Sequence, residues 1–201
     1  VKELGIGGVY VRHVNRLHDM LGQYGKRMMM WADIALQHPK ILQELKKDTI
    51  LLSWGYGAAP NYDFAIKPIK EAEFDFMVCP GVSCWSLIFP DFENAVVNIQ
   101  NYVRDGAKYG ALGMLNTTWD DDGENLFSWN WYGILWSAQC AWQPPKSDIN
   151  SFNSAFSQLF YGTKSPAAAE AIKLLASAHK IGICRGLHDS LFWESPFAPE
   201  Q

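Results

Sequence analysis

Apolar residues recur along the chain in two alternating patterns, one with the period of a helix and one as short runs. Those at the start of the chain, from Ile6 to Tyr24, have helical spacing and predict a helix over 6–24 that ends at Gly25. The next apolar run, 27–33, has polar residues at both ends. This pattern is typical of a strand that is buried on both faces.

The same alternation continues to the middle of the chain. Pro39 is suited to the first turn of a helix, and Pro68 indicates a kink or a late start in the helix that contains it. The predicted strands are 27–33, 49–54, 74–79 and 111–118, and the predicted helices are 39–47, 62–72, 92–109 and 131–142. Beyond Pro144 and Pro145 only helical patterns follow, over 148–161 and 166–181.

This order of elements predicts an α/β fold with four parallel strands, followed by extra α-helices. Strands that alternate with helices pair in parallel through right-handed crossovers. A doubly wound sheet and a (β/α)8 barrel both fit the order. No glycine-rich phosphate loop follows any predicted strand, which disfavours a dinucleotide-binding domain.

The overall charge and hydropathy exclude two classes of partner. The 201 residues include 17 basic and 21 acidic side chains, for a net charge of −4, whereas a nucleic-acid-binding protein is expected to carry a basic stripe. No apolar run approaches the length of a membrane span. We therefore expect no nucleic acid and no membrane as partner.

The residue types that can bind metals or act as nucleophiles do not occur in this chain with the spacing of a known motif. The four cysteines form no CxxC pair and are expected to be buried free thiols: Cys79, Cys84, Cys140 and Cys184. The acidic run 120–124 has consecutive acids, unlike the alternating ligands of an EF-hand. The five histidines lie in helical or loop contexts and are not expected to be catalytic. No metal and no cofactor is predicted.

Tryptophan is concentrated where the predicted strands end. The chain has nine tryptophans, and three strands run directly into Trp31, Trp54 and Trp119, while Trp85 follows the third strand after its loop. The carboxyl ends of parallel strands lie on one face of the fold, where the functional site is found. The sequence therefore predicts four indole rings around a single cleft.

A polar side chain accompanies three of these tryptophans. Asp33, Tyr56 and Asp121 each lie two residues after a tryptophan, and residues i and i+2 of an extended segment point the same way. An indole face with a neighbouring carboxylate or hydroxyl suits a sugar, which has apolar C–H faces and equatorial hydroxyls. The alternative interpretation is that the tryptophans are only core residues of an unrelated α/β enzyme.

Three segments resemble the second half of the catalytic barrel of family 20 glycoside hydrolases, the β-N-acetylhexosaminidases. They are 28–33, 50–54 and 113–121. The similarity covers residues 1–145, and 146–201 is similar to the helical extension that follows the barrel in bacterial members. The resemblance implies the C-terminal half of a (β/α)8 TIM barrel in a chain cut from a longer protein, with a periplasmic or extracellular location.

The resemblance also assigns roles to residues. It makes Trp31, Trp54, Trp85 and Trp119 the walls of the pocket for a terminal N-acetylhexosamine, Asp121 the acid that binds sugar hydroxyls, and Asp33 the acid after the first strand. The Tyr and Asp that hold the acetamide in the family are absent from 79–84, where Tyr56 is the substitute.

The adjacent Asp-Glu pair that performs catalysis in the family lies before the helix that begins this chain. The resemblance therefore implies an exo-acting, retaining hydrolase whose catalytic residues are not in this fragment, which alone is inactive. The missing N-terminal half of the barrel, or self-association, would cover the open strand edges. The competing interpretation is a non-catalytic carbohydrate-binding module with the same aromatic cleft.

Overall fold

A computed structural model of the chain describes residues 5–121, 124–182, 187–188 and 190–193, without the side chains of Ser190 and Phe192. The residues group into two compact units. Unit 1 contains the described residues up to 55 together with 61–79 and 102–115. Unit 2 contains 56–60, 80–101 and the described residues from 116 onward.

Unit 1 contains a four-stranded sheet in which every pair of neighbours is parallel. The strands are β1 (Met29–Trp31), β2 (Ile50–Trp54), β3 (Phe76–Cys79) and β4 (Gly113–Met114), and their order in the sheet is their order in the chain. Trp31 pairs with Leu52, and Trp54 pairs with Cys79. The predicted α/β fold with four parallel strands is confirmed.

Helices precede, separate and follow these strands. They are α1 (Gly5–Gly22), α2 (Asp33–Gln37), α3 (Asp63–Glu71), α4 (Phe92–Tyr109), α5 (Phe127–Trp142), α6 (Ile149–Phe160), α7 (Ala167–Ser177) and α8 (Ser190–Trp193). Short 3-10 helices span Pro39–Gln43 and Ala178–Lys180. The prediction over 39–47 was wrong in detail, because α2 starts directly after β1 and only a 3-10 helix follows Pro39.

The two longest helices end in the same way. Gly25 and Gly110 have φ angles of +62° and +80°, in the left-handed region that glycine adopts without a steric penalty. Lys26 N–H donates to Leu21 O at 3.1 Å, and Ala111 N–H donates to Gly106 O at 2.9 Å. This Schellman pattern satisfies the last carbonyls of α1 and α4.

The core of unit 1 lies between the sheet and its helices. Leu51 and Phe76 of the sheet are buried together with Ile66 and Ile69 of α3. Ser53 contributes the buried polar contact of β2, since its hydroxyl lies 2.8 Å from Tyr102 Oη. These contacts hold β2 and β3 at the centre of the sheet.

Unit 2 has a second core that is mainly aromatic. Tyr132 and Trp136 of α5 pack against Phe152 of α6, with ring centroids 5.3 Å and 5.2 Å from it, and Phe156 lies 5.2 Å from Tyr132. Trp136 is fully buried, and its indole N–H donates to Val96 O at 3.1 Å. Burial raises the pKa of the Tyr132 hydroxyl to about 12. The helical extension thus packs against the last helix of the predicted barrel half.

Three of the four cysteines are buried free thiols, as predicted: Cys79, Cys84 and Cys140. Burial raises the pKa of each to about 12, so each is a neutral thiol near pH 7. Cys184 lies outside the described residues.

Candidate functional site

Three aromatic side chains from different loops meet in unit 2. Tyr56 follows β2, Trp85 lies in the segment after β3, and Trp119 follows β4. The Trp119 indole N–H donates to Tyr56 Oη at 2.7 Å, and the ring centroids of Tyr56 and Trp85 are 4.8 Å apart at an angle of 50°. We call these residues the aromatic cluster. Two of the four predicted indoles, with the predicted tyrosine, are therefore brought together.

A glycine makes this convergence sterically possible. A Cβ atom at Gly81 would lie 2.9 Å from Tyr56 Cδ1 and 3.1 Å from Trp85 Cζ3. It would also lie 3.1 Å from Thr117 Oγ1. Carbon atoms do not pack at such distances, so any larger residue at position 81 would displace at least one of the two rings.

The backbone of unit 2 has a parallel pairing of its own. Gly81 and Thr117 form an isolated parallel bridge, in which Val82 N–H donates to Thr117 O at 3.0 Å and Thr117 N–H donates to Pro80 O at 3.0 Å. Ser83 and Ser86, on either side of Trp85, have positive φ angles of 57° and 52°. Non-glycine residues in this region carry strain, which is commonly found at functional sites.

Asparagines on α4 hold the loop that carries Tyr56. Asn94, Asn98 and Asn101 follow one another at helical spacing. Asn94 Nδ2 donates to Tyr56 O at 2.6 Å, Asn98 Nδ2 donates to Gly57 O at 3.3 Å, and Asn101 Nδ2 donates to Ala59 O at 2.8 Å. This asparagine stripe was not predicted from the sequence, although the spacing of three amides on one helical face was a visible signal.

Two of these amides also use their oxygen atoms. Asn94 Oδ1 accepts from Ala58 N–H at 2.6 Å, and Asn98 Oδ1 accepts from Gly81 N–H at 3.1 Å. Asn98 is fully buried. The same side chain therefore fixes both the Tyr56 loop and the glycine beneath the aromatic cluster.

The acidic run after Trp119 differs in detail from the sequence interpretation. Asp121, the predicted sugar-binding acid, is exposed. Asp120 accepts a 2.9 Å hydrogen bond from Asn130 Nδ2. The Cys84 thiol lies 3.5 Å from Trp119 O and 3.7 Å from Asp120 Oδ1. Asp122 lies outside the described residues.

Trp54 is the last residue of β2, as predicted, whereas Trp31 ends β1 two residues before the predicted end of that strand. Trp54 is 41% exposed, and Trp31 is half-buried. Asp33 was expected to continue an extended segment, but it is the first residue of α2, after Ala32 in a helical conformation with φ −89° and ψ −9°. The alternation argument that paired Asp33 with Trp31 therefore does not hold, because a helix turns each side chain by about 100°.

Trp119 also departs from its predicted position. The strand that was expected to run over 111–118 is reduced to Gly113–Met114, so Trp119 follows β4 by several residues. The isolated bridge at Thr117 replaces the missing strand pairing. Trp119 is 42% exposed, which leaves part of its indole accessible to a ligand.

Among the described residues, no group of three or more His, Cys, Asp or Glu side chains is arranged to hold a metal ion. None of the helices in the described ranges combines the length and apolar character that crossing a membrane requires.

The chain matches no protein-family model and no curated protein.

Proposed function

We propose that the chain is the C-terminal half of the catalytic barrel of an exo-acting, retaining β-N-acetylhexosaminidase, with its helical extension. The observation that carries this proposal is the aromatic cluster, in which Trp85 and Trp119 meet around Tyr56. The parallel four-stranded sheet of unit 1 supports the barrel assignment.

The chemistry of the cluster suits a pyranose better than a purely apolar ligand. Trp119 and Tyr56 are joined through their polar atoms at 2.7 Å, so the indole is held in one orientation. An oriented, partly exposed indole presents a flat face to the C–H groups of a sugar. Asp121 is exposed two residues after Trp119 and supplies a carboxylate for hydroxyl groups. The resemblance assigns the same binding role to Trp31, Asp33 and Trp54 of unit 1.

The proposed reaction is substrate-assisted hydrolysis. In this chemistry the acetamide oxygen of the substrate attacks the anomeric carbon while the glycosidic C–O bond breaks, and the departing oxygen takes a proton from the Glu of the family's Asp-Glu pair. Water then opens the cyclic intermediate, and family 20 enzymes are among the exceptions to the two-carboxylate scheme. An intramolecular attack of this kind can lower the barrier by about 7–11 kcal/mol when the reacting atoms are held in position. The described residues contribute walls that orient the sugar and exclude water. In the Asp-Glu pair of the N-terminal half, the Asp orients the acetamide and the Glu donates the proton.

The Trp119→Ala variant tests the binding role, with N-acetylglucosamine and N-acetylgalactosamine as ligands in calorimetric titrations. We expect at least a ten-fold loss of affinity, which corresponds to about 1.4 kcal/mol. Tyr56→Phe keeps the ring but removes the acceptor of the Trp119 N–H, and a smaller loss is expected. Trp142→Ala is the control, since Trp142 is 85% exposed on α5 and outside the cluster. Unchanged affinity in Trp119→Ala would refute the proposal.

Turnover separates the proposed hydrolase from a binding module. The 201 residues alone should not cleave a chromogenic N-acetylglucosaminide, whereas the chain combined with its N-terminal barrel half should. Sugar binding without turnover, even with that half present, would instead establish a non-catalytic carbohydrate-binding module.

A further inference from the structure

The helical extension holds one tryptophan in a fixed orientation while leaving its ring exposed. Trp193, in α8, donates its indole N–H to Glu124 Oε1 at 2.8 Å, and its side chain is 77% exposed. Glu124 is half-buried, so this acceptor is anchored in unit 2. Trp119 of the aromatic cluster has the same combination of a bonded N–H and a partly exposed ring. The extension therefore adds a second oriented indole to unit 2.

The chain that leads to α8 runs along the segment after Trp85 in the opposite direction. His179 Nε2 lies 2.9 Å from Phe89 O, and further along the chain His188 forms an antiparallel bridge with Leu87. Leu87 is two residues from Trp85, and α8 begins two residues after His188. This pairing therefore brings the start of α8 close to the loop that carries Trp85.

Glu124 also adjoins the loops that carry the aromatic cluster. Its neighbour in the chain, Asn125, donates from Nδ2 to Cys84 O at 3.3 Å, and Cys84 directly precedes Trp85. The Cys84 thiol lies 3.5 Å from Trp119 O. The carboxylate that orients the α8 indole is thus connected, through one pair of contacts, to the backbone beside both tryptophans of the cluster.

An exposed indole with a fixed ring plane suits a sugar ring. Its flat face can contact the apolar C–H groups of a pyranose, as proposed for Trp119. A tryptophan that is already held by a hydrogen bond has little conformational freedom to lose when a ligand binds. The bond to Glu124 uses the N–H at the edge of the ring, so the faces of the Trp193 indole are not taken up by this contact.

We propose that Trp193 forms a second sugar-binding site, which contacts the unit that follows the terminal N-acetylhexosamine in a β-linked oligosaccharide. This inference rests on the proposed function, in which the aromatic cluster binds the terminal unit. Because α8 and Glu124 both adjoin the loops of Trp85 and Trp119, a ligand longer than one unit can contact both sites. The substrate is therefore an oligosaccharide of two or more units, and Glu124 is a positioning residue that acts through Trp193.

Calorimetric titrations of the 201-residue chain with N-acetylglucosamine and with its β-1,4-linked dimer test this site. The chain alone is not expected to cleave the dimer, so the titrations measure binding. The dimer should bind about ten-fold more tightly than the monosaccharide, a difference of about 1.4 kcal/mol. Trp193→Ala should abolish this preference and leave the affinity for the monosaccharide unchanged. Trp142→Ala is the control, since Trp142 is also highly exposed, and it should leave the preference unchanged.

Two substitutions of Glu124 test whether the orientation of the indole matters. Glu124→Gln keeps an oxygen that can accept the Trp193 N–H, so the preference for the dimer should persist. Glu124→Ala removes the acceptor, and the preference should fall by about three-fold. A larger loss in Glu124→Gln than in Glu124→Ala would overturn the positioning role.

A measurement on the unsubstituted chain does not depend on whether a variant folds. The indole N–H resonance of Trp193, assigned with Trp193→Phe, should shift when the dimer is added and should not shift with the monosaccharide. The proposal is overturned by equal affinity for the two sugars, by a preference for the dimer that survives in Trp193→Ala, or by an unchanged Trp193 resonance.

These results are separable from those that test the proposed function. Loss of monosaccharide affinity in Trp119→Ala, without any effect of Trp193→Ala on the dimer, would refute the second site alone. Unchanged affinity in Trp119→Ala would refute the proposed function, whatever the effect of Trp193→Ala. If neither sugar bound to the unsubstituted chain, both would be refuted.

Discussion

The helices α1 and α4 have the same length and the same kind of ending but very different surroundings. Each has 18 residues, and each ends in a Schellman pattern with glycine in the left-handed region. In α4 the apolar residues Phe92, Ala95, Ile99, Tyr102 and Val103 are buried, together with Asn98 and Asp105. In α1 only Val11 and Val14 are buried. Amphipathic spacing thus predicts a helix equally well whether or not its apolar side is covered.

The two helices also use asparagine in the same way at different depths. Asn15 of α1, which is half-buried, donates to Glu44 O at 2.9 Å and accepts from Lys46 N–H at 3.3 Å. Asn98 of α4 makes the equivalent pair of bonds to Gly57 and Gly81 while fully buried. The difference matters because a buried polar group that loses its partner has no water to replace it.

The largest difference between α1 and α4 is expected in the free energy of unfolding when one apolar residue of each helix is truncated. Ile99 is fully buried, so Ile99→Ala should lower the free energy of unfolding by about 2–5 kcal/mol. Leu17 is 41% exposed, so Leu17→Ala should cost less than about 1 kcal/mol. Urea titrations followed by circular dichroism measure both values. Equal costs for Ile99→Ala and Leu17→Ala would show that the apolar side of α1 is covered in solution, as that of α4 is.

Replacement of Asn98 and of Asn15 should give an intermediate difference in the free energy of unfolding. Asn98→Ala leaves the Gly81 N–H without its acceptor, and we expect a cost of about 1–3 kcal/mol. Asn15→Ala should cost less than about 1 kcal/mol, since water reaches its partners. The same urea titrations provide the measurement, and a larger effect for Asn15→Ala would contradict the assignment of Asn98 as the buried anchor.

The smallest expected effect is a pH dependence of the stability that His18 of α1 contributes. His18 Nε2 lies 2.8 Å from Asp48 Oδ1, and Nδ1 lies 3.2 Å from Asp19 Oδ1. The hydrogen bond to Asp48 and then that to Asp19 raise the pKa of His18, and the bond to His18 lowers the pKa of Asp48. Lys46 and Arg27 also face this group, through Asp19 and the Asp48 carbonyl.

A raised pKa in the folded state means that protonated His18 stabilises the fold. Its contribution is fully present below the unfolded pKa of about 6.5 and is lost as the pH rises through the folded pKa. His18→Gln should therefore lower the urea midpoint at about pH 5.5 more than at about pH 8.5. If His18→Gln lowered the urea midpoint equally at both pH values, the imidazole would stabilise the fold without its charge.

The elements with long regular patterns were predicted closely. The predicted helix over 92–109 has the observed bounds of α4, and the predicted strand over 49–54 differs from β2 by one residue. Elements shaped by tertiary contacts were predicted less well. The expected strand over 111–118 pairs with β3 only at Gly113–Met114, because pairing also depends on the neighbouring strand.

The aromatic cluster was predicted only in part. Side chains that follow different parallel strands were predicted to meet, because such strands end on one side. This is confirmed for Tyr56, Trp85 and Trp119. The contact of Asp120 with Asn130 was not foreseen, since it depends on a helix ten residues further along the chain. The need for glycine at position 81 is likewise visible only when the rings are placed around it.

Short stretches of the chain were enough to predict its local structure: the order of strands and helices, the glycines that end α1 and α4, and the residues that follow each strand. These features depend on backbone preferences and on the spacing of apolar residues within a short segment. Burial and hydrogen-bond partners became visible only in the folded chain. Asn98 is fully buried and Asn15 only half-buried, because solvent exclusion depends on residues that are distant in the chain.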